Sequence, residues 1–109
     1  NTLAQQRARG PVLSPERIRE IVARRWRVRA DALASKRRTK DLTVPRQVAM
    51  FLIKEALDMS LVRIGELFGG RDHSTVIHSI RKVEEEMERD PGFKELVRAA
   101  REDFSATDL

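Results

Sequence analysis

Arg71, Ser74, Thr75, His78, Arg81 and Lys82 fall on one side of a helix turning about 100° per residue. They are hydroxyls, an imidazole and cations, with no carboxylate among them. Such a set can donate to base edges through its first residues and hold phosphates with its cations. Asp72 and His73 lie nearer the apolar side on projection, but they stand at the helix tip, from which side chains reach into a groove. The bland alternative is a solvated basic face. Acid–base catalysis by Asp72 and His73 is a second alternative, and the geometry opposes it. Adjacent helical residues diverge by about 100°, and no nucleophile or metal-ligand set accompanies them. No enzyme is expected.

The elements that must carry these residues run from Ser60 to Lys82. Ser60 is an N-cap, and Ile64, Leu67 and Phe68 recur at helical spacing. Gly69-Gly70 ends that helix, since glycine takes the left-handed conformation without steric cost. Asp72 caps the next helix, whose stripe is Val76, Ile80, Val83 and Met87. Two helices joined by so short a turn form a helix-turn-helix. Gly65 lies inside the first helix, where it costs about 1 kcal/mol relative to Ala. Close approach of the second helix is the expected reason.

Charge segregates along the chain. Residues 1–82 carry 18 Lys+Arg against 8 Asp+Glu, and residues 83–109 carry 4 against 9. The basic part suits a polyanion, and the acidic end would face away from it. With 109 residues, 40% hydrophobic and 5% aromatic, the chain allows one domain with an aliphatic core. No cysteine is present, which excludes disulfides and thiolate metal sites; no metal site is expected. No apolar run approaches the roughly 20 residues that span a bilayer, and no signal peptide is legible. A chain that starts with Asn reads as a fragment.

In chain order, residues 1–13 read as a linker or the tail of an upstream unit. Ser14-Pro15-Glu16 starts a helix, with Ile18, Ile21, Val22 and Trp26 inward. Val28–Ser35 supports a short helix with Ala32 and Leu33 inward. Lys36-Arg37-Arg38-Thr39-Lys40 is a cationic loop, either solubilising or anion-binding. Thr43 is expected to cap the next helix, with Pro45 in its first turn and Val48, Phe51, Leu52, Ala56 and Met59 as its stripe. Arg46, Gln47 and Lys54 would then face outward, close to free N–H groups suited to phosphate. Asp90-Pro91 opens a last helix with Phe93, Leu96, Val97 and Ala100 inward, ending near Phe104. Residues 14–104 form the folded domain, and 105–109 a frayed tail.

Gly69-Gly70-Arg71-Asp72-His73-Ser74-Thr75-Val76 with His78 resembles the signature of the DnaA family, bacterial chromosomal replication initiators. Ser35-Lys36-Arg37-Arg38 and Pro45-Arg46-Gln47-Val48-Ala49-Met50 resemble the same family in order and spacing. The resemblance covers roughly residues 14–100. It implies an all-α domain, built around the helix-turn-helix with its basic loop, that binds asymmetric nine-base-pair DnaA boxes in double-stranded DNA at the replication origin. It implies that Arg38 enters the minor groove and that Asp72, His73, Ser74 and Thr75 meet bases in the major groove. Arg46, Gln47, Lys54, Arg71, His78 and Lys82 would hold phosphates or flank the base contacts, with Arg37 also placed on phosphate. Ser74 stands where many members carry Thr, losing a methyl that could touch thymine. The resemblance further implies an upstream ATPase module; no Walker A loop occurs here, so no cofactor is expected in this region.

A different helix-turn-helix regulator would usually dimerise on a palindrome. No clear dimer surface is legible, and such a regulator leaves the basic loop without a role. RNA is a poorer fit, since a helix cannot read the deep A-form major groove and aromatic platforms are lacking. The expected state is a monomer in the cytoplasm, associated with the nucleoid and open to regulatory protein partners, with no membrane insertion.

Overall fold

The computed structural model describes residues 13–106, with side chains to Phe104. These residues form six helices: α1 Pro15–Trp26, α2 Ala30–Leu33, α3 Lys40–Leu57, α4 Leu61–Leu67, α5 His73–Arg89 and α6 Pro91–Ala106. The fold is all-α. The expected linker lies outside the described residues except for Leu13, which packs against the core. The end of the tail, residues 107–109, also lies outside them, while α6 runs two residues past Phe104.

Local chemistry accounts for most helix starts. The Ser14 hydroxyl accepts from Arg17 N–H at 3.1 Å with Pro15 in the first turn. Ser60 accepts from Arg63 N–H at 3.2 Å, and Asp72 from Thr75 N–H at 2.9 Å. Each side chain satisfies one N–H that a helix start leaves without a partner.

The start of α3 corrects the sequence reading. The N-cap is Thr39, extended and without a side-chain cap bond, and Pro45 lies inside the helix. Thr43 is helical: its N–H donates to Thr39 O at 3.1 Å, and its Oγ1 donates to the same carbonyl at 3.0 Å. Proline removes one backbone donor near the helix start, and packing outweighs that loss. α3 is apolar and buried over Leu42 and Val48–Ile53, as expected of a helix enclosed by others. It packs against α1, α2, α4 and α5, while α6 closes over α1 and α5.

The core centres on Ile18, Val22, Leu33, Met50, Leu52, Ile53, Ile64, Phe68, Val76, Val83 and Val97, all fully buried or nearly so. Trp26 and Met59 are only partly buried at its margin. Ala56 is exposed and Leu96 is 45% exposed, contrary to their expected inward positions. In α6 Val97 and Ala100 are buried as expected, and Phe104 joins them. Two bidentate arginine pairs pin this helix: Arg25 to Asp103 at 3.0 Å for both bonds, and Arg101 to Glu55 at 2.8 and 3.0 Å. The second helix is shorter than expected, Ala30–Leu33, with Leu33 buried.

Candidate nucleic-acid interface

The turn between α4 and α5 is built on glycine. Gly69 and Gly70 both have positive φ, 77° and 74°. The Gly65 carbonyl accepts three backbone N–H groups, from Phe68, Gly70 and Arg71, at 3.0–3.1 Å. A side chain on Gly65 would meet Arg71 O at 1.9 Å and Val76 Cγ2 at 3.5 Å. The close approach expected at Gly65 is therefore present, and its nearest neighbour is the backbone of the turn rather than the helix behind it.

This turn delivers the first residues of α5 to the surface. His73, Ser74, Thr75, His78, Arg81 and Lys82 are all exposed, and Val76 and Val83 are buried behind them. Asp72 is exposed as well. Its carboxylate accepts Thr75 N–H and the Ser74 hydroxyl at 3.0 Å, and these bonds, Thr75 foremost, hold it below the ordinary aspartate range. The Ser74 proton is thereby committed to Asp72.

The loop between α2 and α3 lies beside that helix start. An open groove of about 590 Å³ separates them, lined among others by Lys36, Arg38, Thr43, Gln47, Thr75 and His78. Gln47 also borders the next hollow along, with Lys82. The groove brings Arg38, Gln47, Asp72, Thr75 and His78 together from three elements. His73 and Ser74 lie at the α5 tip outside its lining, and Arg37 lines a separate hollow with Arg29, Asp31, Ala32 and Ser35. Lys54 lies two turns along α3 from Gln47, and its ammonium meets Asp58 at 3.0 Å and Met59 O at 3.2 Å. That exposed pair is weak, so Lys54 can exchange it for another anion. Among the described residues, Lys36, Arg37, Arg38, Arg81 and Lys82 take part in no ion pair.

Two expected outward cations behave differently. Arg46 is 5% exposed. Its Nε donates to Leu33 O at 2.8 Å, Nη1 to Arg37 O at 2.7 Å, and Nη2 to Ala32 O at 3.0 Å and Ser35 O at 3.3 Å. The expectation that Arg46 faces outward is overturned: the guanidinium is drawn in by four backbone carbonyls that converge where α2 ends. Arg71 is partly exposed and also committed, with Nη1 on Ser35 O at 2.9 Å and on Phe68 O, and Nη2 on Arg37 O at 3.3 Å. Among the described residues, no carboxylate pairs with either. Burial, and then Arg71, pushes Arg46 down to about 10; burial, and then Arg38, lowers Arg71. Crowded cations without acids favour an incoming anion.

Lys36, read from sequence only as a member of the cationic loop, lines the groove, and so does Thr43, to which the sequence reading gave no part in binding. Thr43, Gln47 and Lys54 recur at helical spacing on α3, a signal masked by placing the helix start at Thr43 rather than Lys40.

Residues 15–83 match the bacterial DnaA protein helix-turn-helix. The chain belongs to the bacterial DnaA helix-turn-helix family. A crystal structure described as that of a DNA replication initiation factor superposes with a TM-score of 0.73 at 37% identity. The match covers 86% of this chain and 28% of that one, so the chain spans little more than a quarter of that protein. The DnaA helix-turn-helix is a DNA-binding domain of replication initiation and not a catalytic one. Among the described residues, no helix is long and apolar enough to cross a membrane.

Proposed function

We propose that this domain reads asymmetric nine-base-pair DnaA boxes at a replication origin through both grooves of one duplex. The exposed α5 tip, with Asp72, His73, Ser74 and Thr75, enters the major groove. Arg38 enters the adjoining minor groove, where an A/T-rich end concentrates negative potential and attracts a guanidinium. Gln47, Lys54, His78 and Lys82 hold phosphates on either side, with Arg37 on the backbone beside the loop.

The observation that carries this reading is the shared groove, which places a loop arginine without a carboxylate partner beside the first turn of α5. One helix insertion covers too few base pairs to specify a nine-base-pair site, and a second reader on the same chain supplies the rest. Two unlike readers on one chain also suit an asymmetric site and a monomer, whereas a dimer would call for a palindrome. In this reading the region needs no cofactor, nucleotide chemistry belongs to another module of the intact initiator, and the work is done on the cytoplasmic nucleoid. Regulatory proteins would have access to the acidic end of α5, where Glu84, Glu85 and Glu88 are exposed.

The test is a titration of wild type and Arg38→Ala against a box duplex, a scrambled duplex, and a box whose A/T end is changed to G/C. Wild type should prefer the box and lose affinity when the end is changed. Arg38→Ala should lose affinity on the A/T-ended box and gain no further loss from the G/C change. Equal losses on both duplexes would make Arg38 a phosphate clamp.

A further inference from the structure

Arg46 and Arg71 reach the same two acceptors from opposite sides. Ser35 O takes Arg71 Nη1 at 2.9 Å and Arg46 Nη2 at 3.3 Å; Arg37 O takes Arg46 Nη1 at 2.7 Å and Arg71 Nη2 at 3.3 Å. Arg46 comes from α3, and Arg71 from the turn that launches α5. Gly69 completes the contact. A Cβ there would stand 2.9 Å from Ser35 O, so the loop rests directly on the glycine turn.

We propose that Arg46, Arg71 and Gly69 form a clamp that fixes the loop arginine at a set distance from the α5 tip, making them positioning residues that determine sequence specificity. The inference rests on the two-groove reading above. A loop free of regular structure would sample many placements of Arg38, and binding would have to select one of them. Holding the loop carbonyls from two helical elements sets that placement in advance. Arginine suits the task because its planar fork carries five donors, which a lysine ammonium cannot reproduce. The clamp also explains why neither guanidinium meets a carboxylate: both are directed at backbone, and the loop they hold presents its own cations outward.

Gly69→Ala tests the clamp without changing any charge. It adds one methyl against Ser35 O and Arg71 Nη1, each 2.9 Å away, at a residue with φ of 77°, so it presses on both halves of the clamp contact. Gly70→Ala is the strain control, since its φ is 74° and nothing lies within 4 Å of the added atom. Arg46→Lys keeps the charge and removes the fork. Affinities are measured on the A/T-ended box and on its G/C-ended counterpart, at two salt concentrations. Gly69→Ala and Arg46→Lys should each lower the preference for the A/T end by about tenfold, the scale of one lost base contact. The salt slope should stay at its wild-type value, and Gly70→Ala should keep the preference. Adding Arg38→Ala to Gly69→Ala should cost little more, because both act through one contact.

Three results would overturn the clamp. One is equal loss on every duplex for Gly69→Ala and Gly70→Ala. Another is a slope flattened by about 0.9 in Arg46→Lys, the mark of a lost phosphate contact. The third is read without DNA, by hydrogen exchange of the Ser35 and Arg37 amides, which are bonded to Ala32 O and Ser35 Oγ. Exchange should speed up in Gly69→Ala beyond Gly70→Ala; equal exchange would show that the loop does not depend on the turn. A wild type without A/T preference would sink the role given to Arg38, while this exchange measurement would still decide the clamp.

Discussion

Gly65 and Arg71 are in backbone contact. The Gly65 carbonyl accepts Arg71 N–H at 3.0 Å, and the Arg71 carbonyl occupies the space where a Gly65 side chain would stand. Helix propensity alone would favour Ala at position 65 by about 1 kcal/mol. Contact at 1.9 Å with a backbone oxygen reverses the sign, because that atom cannot move without the turn. Gly65→Ala is expected to destabilise the fold by about 1–3 kcal/mol, the usual scale of overpacking. Urea unfolding measures it, and a stabilised variant would show that the turn yields freely.

Phosphate contacts should make binding steeply salt-dependent. With about six phosphates neutralised, log K should fall with a slope near −5 against log salt. Lys82, exposed and without an ion-pair partner among the described residues, is the cleanest single test. Lys82→Ala should weaken binding to every duplex by the same factor and flatten the slope by about 0.9. A loss confined to one sequence would mean that Lys82 reads a base.

At the tip of α5, His73 and Thr75 are exposed while the helix is anchored by buried Val76. Replacing either with Ala should therefore leave the fold intact. Each change should reduce discrimination between box and scrambled duplex by about 1–3 kcal/mol, while non-specific binding persists. Competition titrations with both duplexes separate the two effects. Undiminished discrimination in both variants would move base reading off this tip.

Asp72 carries both a structural and a reading role, and pH separates them. Its carboxyl is held below the ordinary range by accepting Thr75 N–H and the Ser74 hydroxyl. The cap's contribution is therefore present above the unfolded pKa of about 3.9 and is lost as pH falls through the lower folded value. Asp72→Asn keeps the cap, since Asn and Asp rank alike at that position. The variant should fold normally at neutral pH and lack this part of the acid-limb dependence. If the carboxylate also accepts from a cytosine amino group, Asp72→Asn changes base preference at one position. Unchanged preference would leave Asp72 as the cap alone.

The helix-turn-helix was legible from sequence because its determinants are local. Ser60 and Asp72 act on N–H groups three residues away, the two glycines adopt their own positive φ, and Val76 and Val83 repeat with the helix period. The same locality misled at α3. Pro45 near a threonine suggests a helix start, but the helix begins at Lys40 because burial of Leu42 and Pro45 outweighs one missing donor. At α6, periodicity correctly set Val97 and Ala100 inward but also admitted Leu96, and only the packing against α1 and α5 left Leu96 outside and brought Phe104 in.

Sequence by itself determined that cations, hydroxyls and the His78 imidazole would share a helix face, since side-chain direction along a helix depends only on residue spacing. Tertiary structure alone decided which arginines face out. Arg38 in the basic loop and Arg46 eight residues on in α3 have the same guanidinium, yet one is exposed and the other is 5% exposed. The difference lies in the carbonyls of Ala32, Leu33, Ser35 and Arg37, which converge where α2 ends and are gathered beside α3 by the packing of the two helices. Backbone acceptors are identical in every residue, so no pattern of side chains marks where they converge.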